Sequence, residues 1–304
     1  MKFVFLGSSN FSSIVLKRIY NKINIAFTIT KEPKRGGRGL KLVSTSVKKT
    51  SDSLGIECIE TDNPDNLIPR IKKEKIDGFI LASYGAILSK ELLSSVKYPL
   101  NIHPSLLPKY RGPTPIQRTL QYGETETGVT IFIMDEGIDT GDIVMQKSVK
   151  ILPFEVATEL EERLAELGGD MMIEVVKNLE EKKKIERIKQ DHSKATYTKK
   201  IKPEELLINW NEPAETIVNK IRSFAYEPGA YTFWREKRLK IFRAIPIKGK
   251  TGNPGSILSL RGFIFVAAQD GMIGIKELQL QGKKKMDVEV FLNGHKMNIG
   301  EYLG

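Results

Sequence analysis

The sequence predicts an α/β protein: a Rossmann-like, mainly parallel sheet with helices on both faces, followed by a small antiparallel β-barrel. Three observations carry this. Apolar runs of strand length alternate with amphipathic stretches through residues 1–180. Beyond residue 225 short strand-like pieces crowd together, separated by turn signals. The chain has 304 residues, more than one hydrophobic core usually accommodates, so about two domains are expected.

The elements follow in order. Phe3 to Leu6 runs into Gly7 and reads as the first buried strand, since five apolar residues are too few for a signal peptide. Further strands are expected at Ile25 to Thr30, Phe79 to Ala82, Leu100 to His103, Val129 to Met134 and Val144 to Val149. Helical patterns such as Phe11 to Tyr20 and Ile116 to Tyr122 lie between them. Such alternation requires crossover connections and a sheet covered on both faces, with sites at the carboxyl ends of its strands. A long helix is expected over Phe154 to Lys184, then a polar linker, then a helix Ala214 to Phe224 with Ile217, Ile221 and Phe224 on one face. Five strand-like pieces follow: Tyr231 to Trp234, Leu239 to Ala244, Ser256 to Leu260, Phe263 to Ala267 and Ile273 to Leu280. Turn signals at Asn253-Pro254-Gly255 and Asp270-Gly271 separate them, the pattern of a small barrel. The expected organisation is a first domain over 1–185, a linker over 186–205 and a second domain over 206–304.

Composition narrows the function classes. With 40% hydrophobic and 28% charged residues the chain reads as an ordinary globular protein. No apolar run approaches the ~18 residues of a membrane span, so no membrane partner is expected. One cysteine, Cys58, excludes an internal disulfide and fits a reducing cytoplasm; its neighbours mark it as a packing residue in a short strand. The net charge of +11 is unevenly placed: residues 1–180 carry +1 and residues 181–304 carry +10. A basic second part suggests a polyanionic partner, most simply nucleic acid, although a solvated basic surface has the same signature. Residues 31–49 add seven Lys/Arg against Glu32 alone, in a glycine-containing loop.

Several familiar chemistries are excluded. A dinucleotide fingerprint beginning at Gly7 would place its second glycine at Ser9, where a side chain obstructs the pyrophosphate. No phosphate loop occurs. The acidic run Asp135, Glu136, Asp139, Asp142 has Gln146 where a calcium loop needs its twelfth ligand. The three histidines show no zinc spacing, so no metal site is expected.

What remains is Asn101-Ile102-His103-Pro104 and the loop Met134 to Asp142. Asn101 and His103 are two apart, so in an extended chain they share one side while Ile102 points into the core. Pro104 biases His103 toward that extended geometry. An amide and an imidazole side by side can hold an oxyanion and move protons, and a carboxylate reaching the ring would orient it. On spacing alone, a lone histidine at a strand end is more often structural than catalytic.

These residues carry a resemblance. Asn101-x-His103 running into Ser105-Leu106-Leu107-Pro108, then Arg111-Gly112, Pro115-Ile116-Gln117, and later Met134-Asp135 with Asp139-Thr140-Gly141, resembles the folate-dependent formyltransferases. The resemblance implies a catalytic trio of Asn101, His103 and Asp139. It implies that Ser105, Leu106, Leu107 and Pro108, with Leu81, Tyr84 and Gly85 of the segment Leu81 to Ile87, hold the pterin of 10-formyltetrahydrofolate, largely through backbone groups. Asp135 is expected to be a helper or loop cap.

Three further features resemble the branch whose acceptor is methionine on initiator tRNA. They are the loop Lys31 to Ser46 with Gly37-Arg38-Gly39-Leu40-Lys41-Leu42, the segment Ala195 to Ile201 followed by Ile208-Asn209-Trp210, and the barrel-like, OB-like tail. On that resemblance Arg38 and Lys41 are expected at the tRNA end, and the protein is expected to act as a cytoplasmic monomer in translation initiation. A small-amine acceptor, glycinamide ribonucleotide or an amino-sugar nucleotide, is the alternative, and a catalytically silent RNA-binding relative is a third reading. Two stretches depart from the pattern. Phe224 to Ala230 reads Phe-Ala-Tyr-Glu-Pro-Gly-Ala in place of Phe-Asn-Pro-Trp-Pro-Gly-Ala, and the first turn, Gly7 to Phe11, differs from the usual Gly-Thr-Pro start.

Overall fold

The computed structural model describes residues 1–36, 41–183, 185–249 and 252–304. The chain divides into two compact units. The first comprises Met1–Pro115, Thr127–Val149 and Glu161–Lys199; the second comprises Ile116–Glu126, Lys150–Leu160 and Lys200–Gly304. Residues 186–199, expected within a linker, belong to the first unit.

In chain order the first 200 residues form β1 (Phe3–Gly7), α1 (Asn10–Ile19), β2 (Ile25–Thr30), β3 (Lys34–Gly36), β4 (Lys41–Val43), α2 (Ser46–Leu54) and β5 (Cys58–Glu60). There follow α3 (Ile68–Lys73), β6 (Gly78–Ala82), α4 (Lys90–Leu93), β7 (Tyr98–His103), α5 (Pro115–Gln121), β8 (Glu126–Ile133), β9 (Ile143–Lys150) and α6 (Ala157–Glu180). Strands β3 and β4 pair as a separate antiparallel ribbon. The others form one seven-stranded sheet in the order β5-β2-β1-β6-β7-β8-β9. The pairs from β5 to β7 are parallel, and β8 lies antiparallel to β7. Every residue of β1 is buried, as a central strand covered on both faces requires. The chain builds outward from β1 to β5, then returns to β6 on the other side, so the order reverses between β1 and β6. Gly7 sits there because a Cβ would meet Ser12 and the Ala82 carbonyl below 3.0 Å. Ser9, which spoils the dinucleotide fingerprint, instead caps α1 in a reciprocal pair with Ser12. Cys58 is half-buried in β5, and burial pushes its thiol up.

Within the first unit, a glycine pair lets α6 approach β7 on one side and α1 on the other. A Cβ on Gly168 would lie 2.6 Å from Ile102 Cγ2, and one on Gly169 would lie 2.7 Å from Arg18 Cβ on α1. Ile102 is the residue between Asn101 and His103, so this close contact sets the height of the strand that carries them.

The second unit adds α7 (Ala214–Ser223), β10 (Tyr231–Trp234), β11 (Lys237–Lys248), β12 (Ile257–Ser259), β13 (Ile264–Ala267), β14 (Gly271–Leu280), β15 (Met286–Asp287) and α8 (Val288–Gly294). Its antiparallel sheet runs β10-β11-β14-β13-β12, with β15 on β14. Ile217, Ile221 and Phe224 are fully buried in its core, as their spacing requires. The C-terminal tail joins the two ends of this curled sheet. Ile257 N donates to Glu301 O and Leu303 N to Gly255 O on the β12 side, while Gly304 N donates to Phe233 O on β10. Glu301 accepts from Arg235, Trp234 Nε1 and Asn298. Arg118, only 8% exposed, is neutralised inside this unit by Glu205.

Two outcomes are expected. Gly168→Ala gains roughly 1 kcal/mol of helix propensity but must displace a buried branched side chain, so it destabilises by about 1–3 kcal/mol in urea unfolding. Hydrogen bonds from Arg235 and Trp234 hold the Glu301 carboxyl at about 2, against about 4.3 unfolded. A depressed carboxyl stabilises above its unfolded value and loses that contribution as pH falls through its folded one. Glu301→Gln should therefore lower the melting temperature at neutral pH, and the gap should narrow between pH 4 and 2; a constant gap would contradict this.

Candidate active site

Strand β7 is held on both sides. It lies parallel to β6, with Leu81 beside Asn101, and antiparallel to β8, with Asn101 beside Phe132 and His103 beside Thr130. Alternation along the strand sends Ile102 toward Gly168 and places Asn101 and His103 together on the opposite face. Both are nearly buried, at 8% and 5% exposure. No described residue bonds the Asn101 side chain, so its amide is available to a ligand.

His103 has a defined partner on each ring nitrogen. Nε2 lies 3.0 Å from the Tyr110 carbonyl oxygen. A carbonyl can only accept, so Nε2 carries a proton and Nδ1 is the atom that gains or loses one. Nδ1 faces Asp139 Oδ2 at 3.6 Å, an ion-pair distance when the ring is charged and too long for a direct hydrogen bond. The sequence-expected trio thus comes together from two separate segments.

Asp139 is fixed from two sides. Its Oδ2 accepts from Gly112 N at 2.7 Å, and its backbone takes the left-handed conformation at φ 54°. Its own carbonyl accepts from Gln190 Nε2 at 3.0 Å, and the Gly141 carbonyl accepts from the same amide at 2.7 Å. Gln190 Oε1 accepts in turn from Arg111 Nε at 3.2 Å and Nη2 at 2.7 Å. Asp135 caps the loop, accepting from Gly137 N and the Thr140 hydroxyl. Sequence reasoning quoted Arg111 and Gly112 within a motif but gave them no role, and it passed over Gln190. A glutamine in a polar stretch carries no periodic signal; the isolated pairing of Ile188 with Ile143 is what brings it to the loop.

The expected folate segments occupy neighbouring strand ends. In Ser105 to Pro108 the carbonyls already accept within the chain: Ser105 from the Thr130 hydroxyl, Leu106 from Lys109 N, Leu107 from Gln146 Nε2 and Pro108 from Thr196 N. Ser105 and Leu107 are buried, so what this stretch offers a ligand is chiefly the half-exposed surface of Leu106 and Pro108. Leu81 lies buried beside Asn101, and Tyr84 turns inward to donate to Thr61 O at 3.0 Å, its phenol pushed up by burial to about 12. Gly85 takes φ 80°, with open space where a Cβ would stand. Arg38 lies outside the described residues, as does the side chain of Lys41. Among the described residues no cluster of metal-ligating side chains occurs, and no helix is long and apolar enough to cross a membrane.

Comparison with known proteins gives a consistent family. The formyl transferase model matches residues 1–176, and the formyl transferase C-terminal domain model matches residues 200–296. Methionyl-tRNA formyltransferase of Thermotoga neapolitana is 40% identical over 99% of this chain and 97% of its own length. That of Dictyoglomus thermophilum is 39% identical over 99% of each. Among solved structures, the sugar 3N-formyl transferase WlaRD, crystallised with dTDP and 5-N-formyl-tetrahydrofolate, shares the fold at a TM-score of 0.65 and 20% identity, covering 93% of this chain and 99% of that one. HypX from Aquifex aeolicus, in complex with tetrahydrofolic acid, matches at a TM-score of 0.65 and 18% identity; this chain is covered to 99% and spans about half (51%) of that protein. With both family models and full-length relatives in agreement, the chain belongs to the methionyl-tRNA formyltransferases of the formyl transferase family.

Proposed function

We infer that this enzyme transfers the formyl group of 10-formyltetrahydrofolate to the amino group of methionine carried by initiator tRNA, in the cytoplasm, for translation initiation. The observation that carries this reading is family membership along both parts of the chain. The arrangement of Asn101, His103 and Asp139 supports it, because it supplies what formyl transfer needs. The placement of +10 of the net charge in residues 181–304, with the basic stretch 31–49, supports a phosphate-rich acceptor. Arg38 and Lys41 are the proposed contacts with its acceptor end.

In this reaction the free amine attacks the formyl carbon, and the new C–N bond leaves a tetrahedral carbon bearing an oxyanion. The unpartnered Asn101 amide donates to that oxygen. With Nε2–H of His103 held by Tyr110, the neutral ring takes the amine's proton at Nδ1, directly or through water beside Asp139, and the Nδ1–H so formed is what the charged ring offers the oxyanion. Asp139 stabilises the charged ring. As the bond to N10 of the folate breaks, the proton held at Nδ1 passes to that nitrogen, the oxyanion collapses to the formamide carbonyl, and tetrahydrofolate leaves. Leu81, Tyr84 and Gly85 on one strand end, with Ser105 to Pro108 on the next, are proposed to cradle the pterin.

Removing one oxyanion donor typically costs about 10²- to 10³-fold in rate. Asn101→Ala and His103→Ala should each reduce formylation by at least this order, with Asp139→Ala also strongly impaired; parent-like rates for all three would refute the site. Offered methionyl-tRNA, glycinamide ribonucleotide and an amino-sugar nucleotide separately with 10-formyltetrahydrofolate, the enzyme should formylate only the first. Binding of charged tRNA should weaken by roughly 10²-fold between about 50 and 200 mM salt if four phosphates are neutralised, and salt-insensitive binding would point to a small acceptor.

A further inference from the structure

We propose that Gln190, anchored by Arg111, is a positioning residue for formyl transfer: it holds the Asp139 backbone so that the carboxylate faces His103 Nδ1. The inference rests on the proposed role of Asp139 in that reaction.

Three observations carry it. First, Asp139 sits in a left-handed conformation, which costs a non-glycine residue on the order of 1 kcal/mol and persists only where the surroundings over-determine it. The groups that do so are the two N–H bonds of one glutamine amide, to the carbonyls of Asp139 and Gly141. Secondly, that amide is itself immobilised. Gln190 is 6% exposed, and its oxygen receives two N–H groups of a guanidinium that is 1% exposed. A charged donor on the amide oxygen polarises the amide and strengthens the bonds its N–H groups give. Thirdly, the anchor is unusual. The other guanidinium contacts of Arg111 are the Tyr197 hydroxyl at 3.0 Å and His192 Nδ1 at 3.1 Å. Among the described residues all its side-chain partners are neutral, so a buried cation stands there without a carboxylate to offset its desolvation. Glutamate at position 190 would neutralise Arg111 but would face the carbonyls of Asp139 and Gly141 with oxygen instead of N–H. The glutamine is the residue that satisfies both sides.

Backbone pairing reinforces this. Arg111 N donates to Thr196 O, and Thr198 N donates to Arg111 O. The next amide, Gly112 N, is the donor to Asp139 Oδ2. One segment, 188–198, therefore places both the carboxylate's donor and the carboxylate's backbone.

The test is Gln190→Glu, which keeps the side chain's size and an acceptor for Arg111 while removing the two donors. The melting temperature should not fall. A displacement of reacting groups on the order of 1 Å costs about 10²-fold, so kcat for methionyl-tRNA formylation should drop by about 10- to 10²-fold, with KM for both substrates within about two-fold, the pattern of a lost transition-state interaction. Amide hydrogen exchange at Gly112, protected by Asp139 in the parent, should accelerate. An unchanged kcat with unchanged Gly112 exchange would overturn the proposal, as would a kcat loss that merely tracks a lowered melting temperature. If the parent enzyme failed to formylate methionyl-tRNA, the functional reading would fall, while Gly112 exchange would still decide whether Gln190 positions Asp139.

Discussion

The hydrogen bond from Gly112 N to Asp139 Oδ2 is where the architecture of the first unit converges. It joins a turn that follows β7 to a loop that follows β8, and neither segment could fix the carboxylate alone. Gly112 can offer its amide because it has no side chain: at φ 102° a Cβ would lie 2.8 Å from the Thr198 carbonyl. That carbonyl is present because Arg111 and Tyr197 pair as a parallel bridge. A segment nearly ninety residues downstream in sequence thus presses against the turn and forbids any residue but glycine. The distance between His103 and Asp139 is a consequence of this packing, and so is the orientation of the ring.

That orientation has an electrostatic consequence. With Nε2 committed to the Tyr110 carbonyl, the ring has one free nitrogen, and it faces a carboxylate. The neutral ring presents a lone pair to Asp139, a mildly repulsive arrangement. The charged ring presents N–H, an attractive one. The 3.6 Å gap leaves the ring unlocked by a direct bond to Asp139. Burial strengthens these interactions, since a low-dielectric pocket screens charges less than water does.

Much of the sheet was legible in the sequence because a parallel strand buried on both faces leaves an unbroken apolar run, as β1 and β6 do. Asn101 and His103 were legible as a pair from their spacing of two, and Ile102 between them as a core residue. The short helices α3 and α4 were not, since four to six residues hold too few turns to show a period. Nor was the closure of the second sheet, where the tail Glu301 to Gly304 works through backbone groups that leave no trace in residue type. Gln190 was missed for a related reason: its role depends on which loop lies opposite, and that is fixed by long-range pairing. A short strand around Cys58 was legible, and it forms as β5, each of its residues partly buried.

The two buried arginines show how differently the two units use such a group. In the second unit Arg118 meets Glu205, so the pair carries no net charge into the interior and needs no explanation beyond packing. In the first unit Arg111 is more deeply buried and meets Gln190, Tyr197 and His192, none of which cancels its charge. Stability alone would favour a carboxylate at Gln190, since an unpaired buried cation is expensive. The loop bearing Asp139 requires the opposite chemistry at that position, two N–H groups aimed at carbonyl oxygens. An amide meets that need and still accepts from arginine, at the cost of leaving the cation uncompensated. A fold that keeps such a cost beside Asp139 is one in which placing that carboxylate outweighs neutralising Arg111.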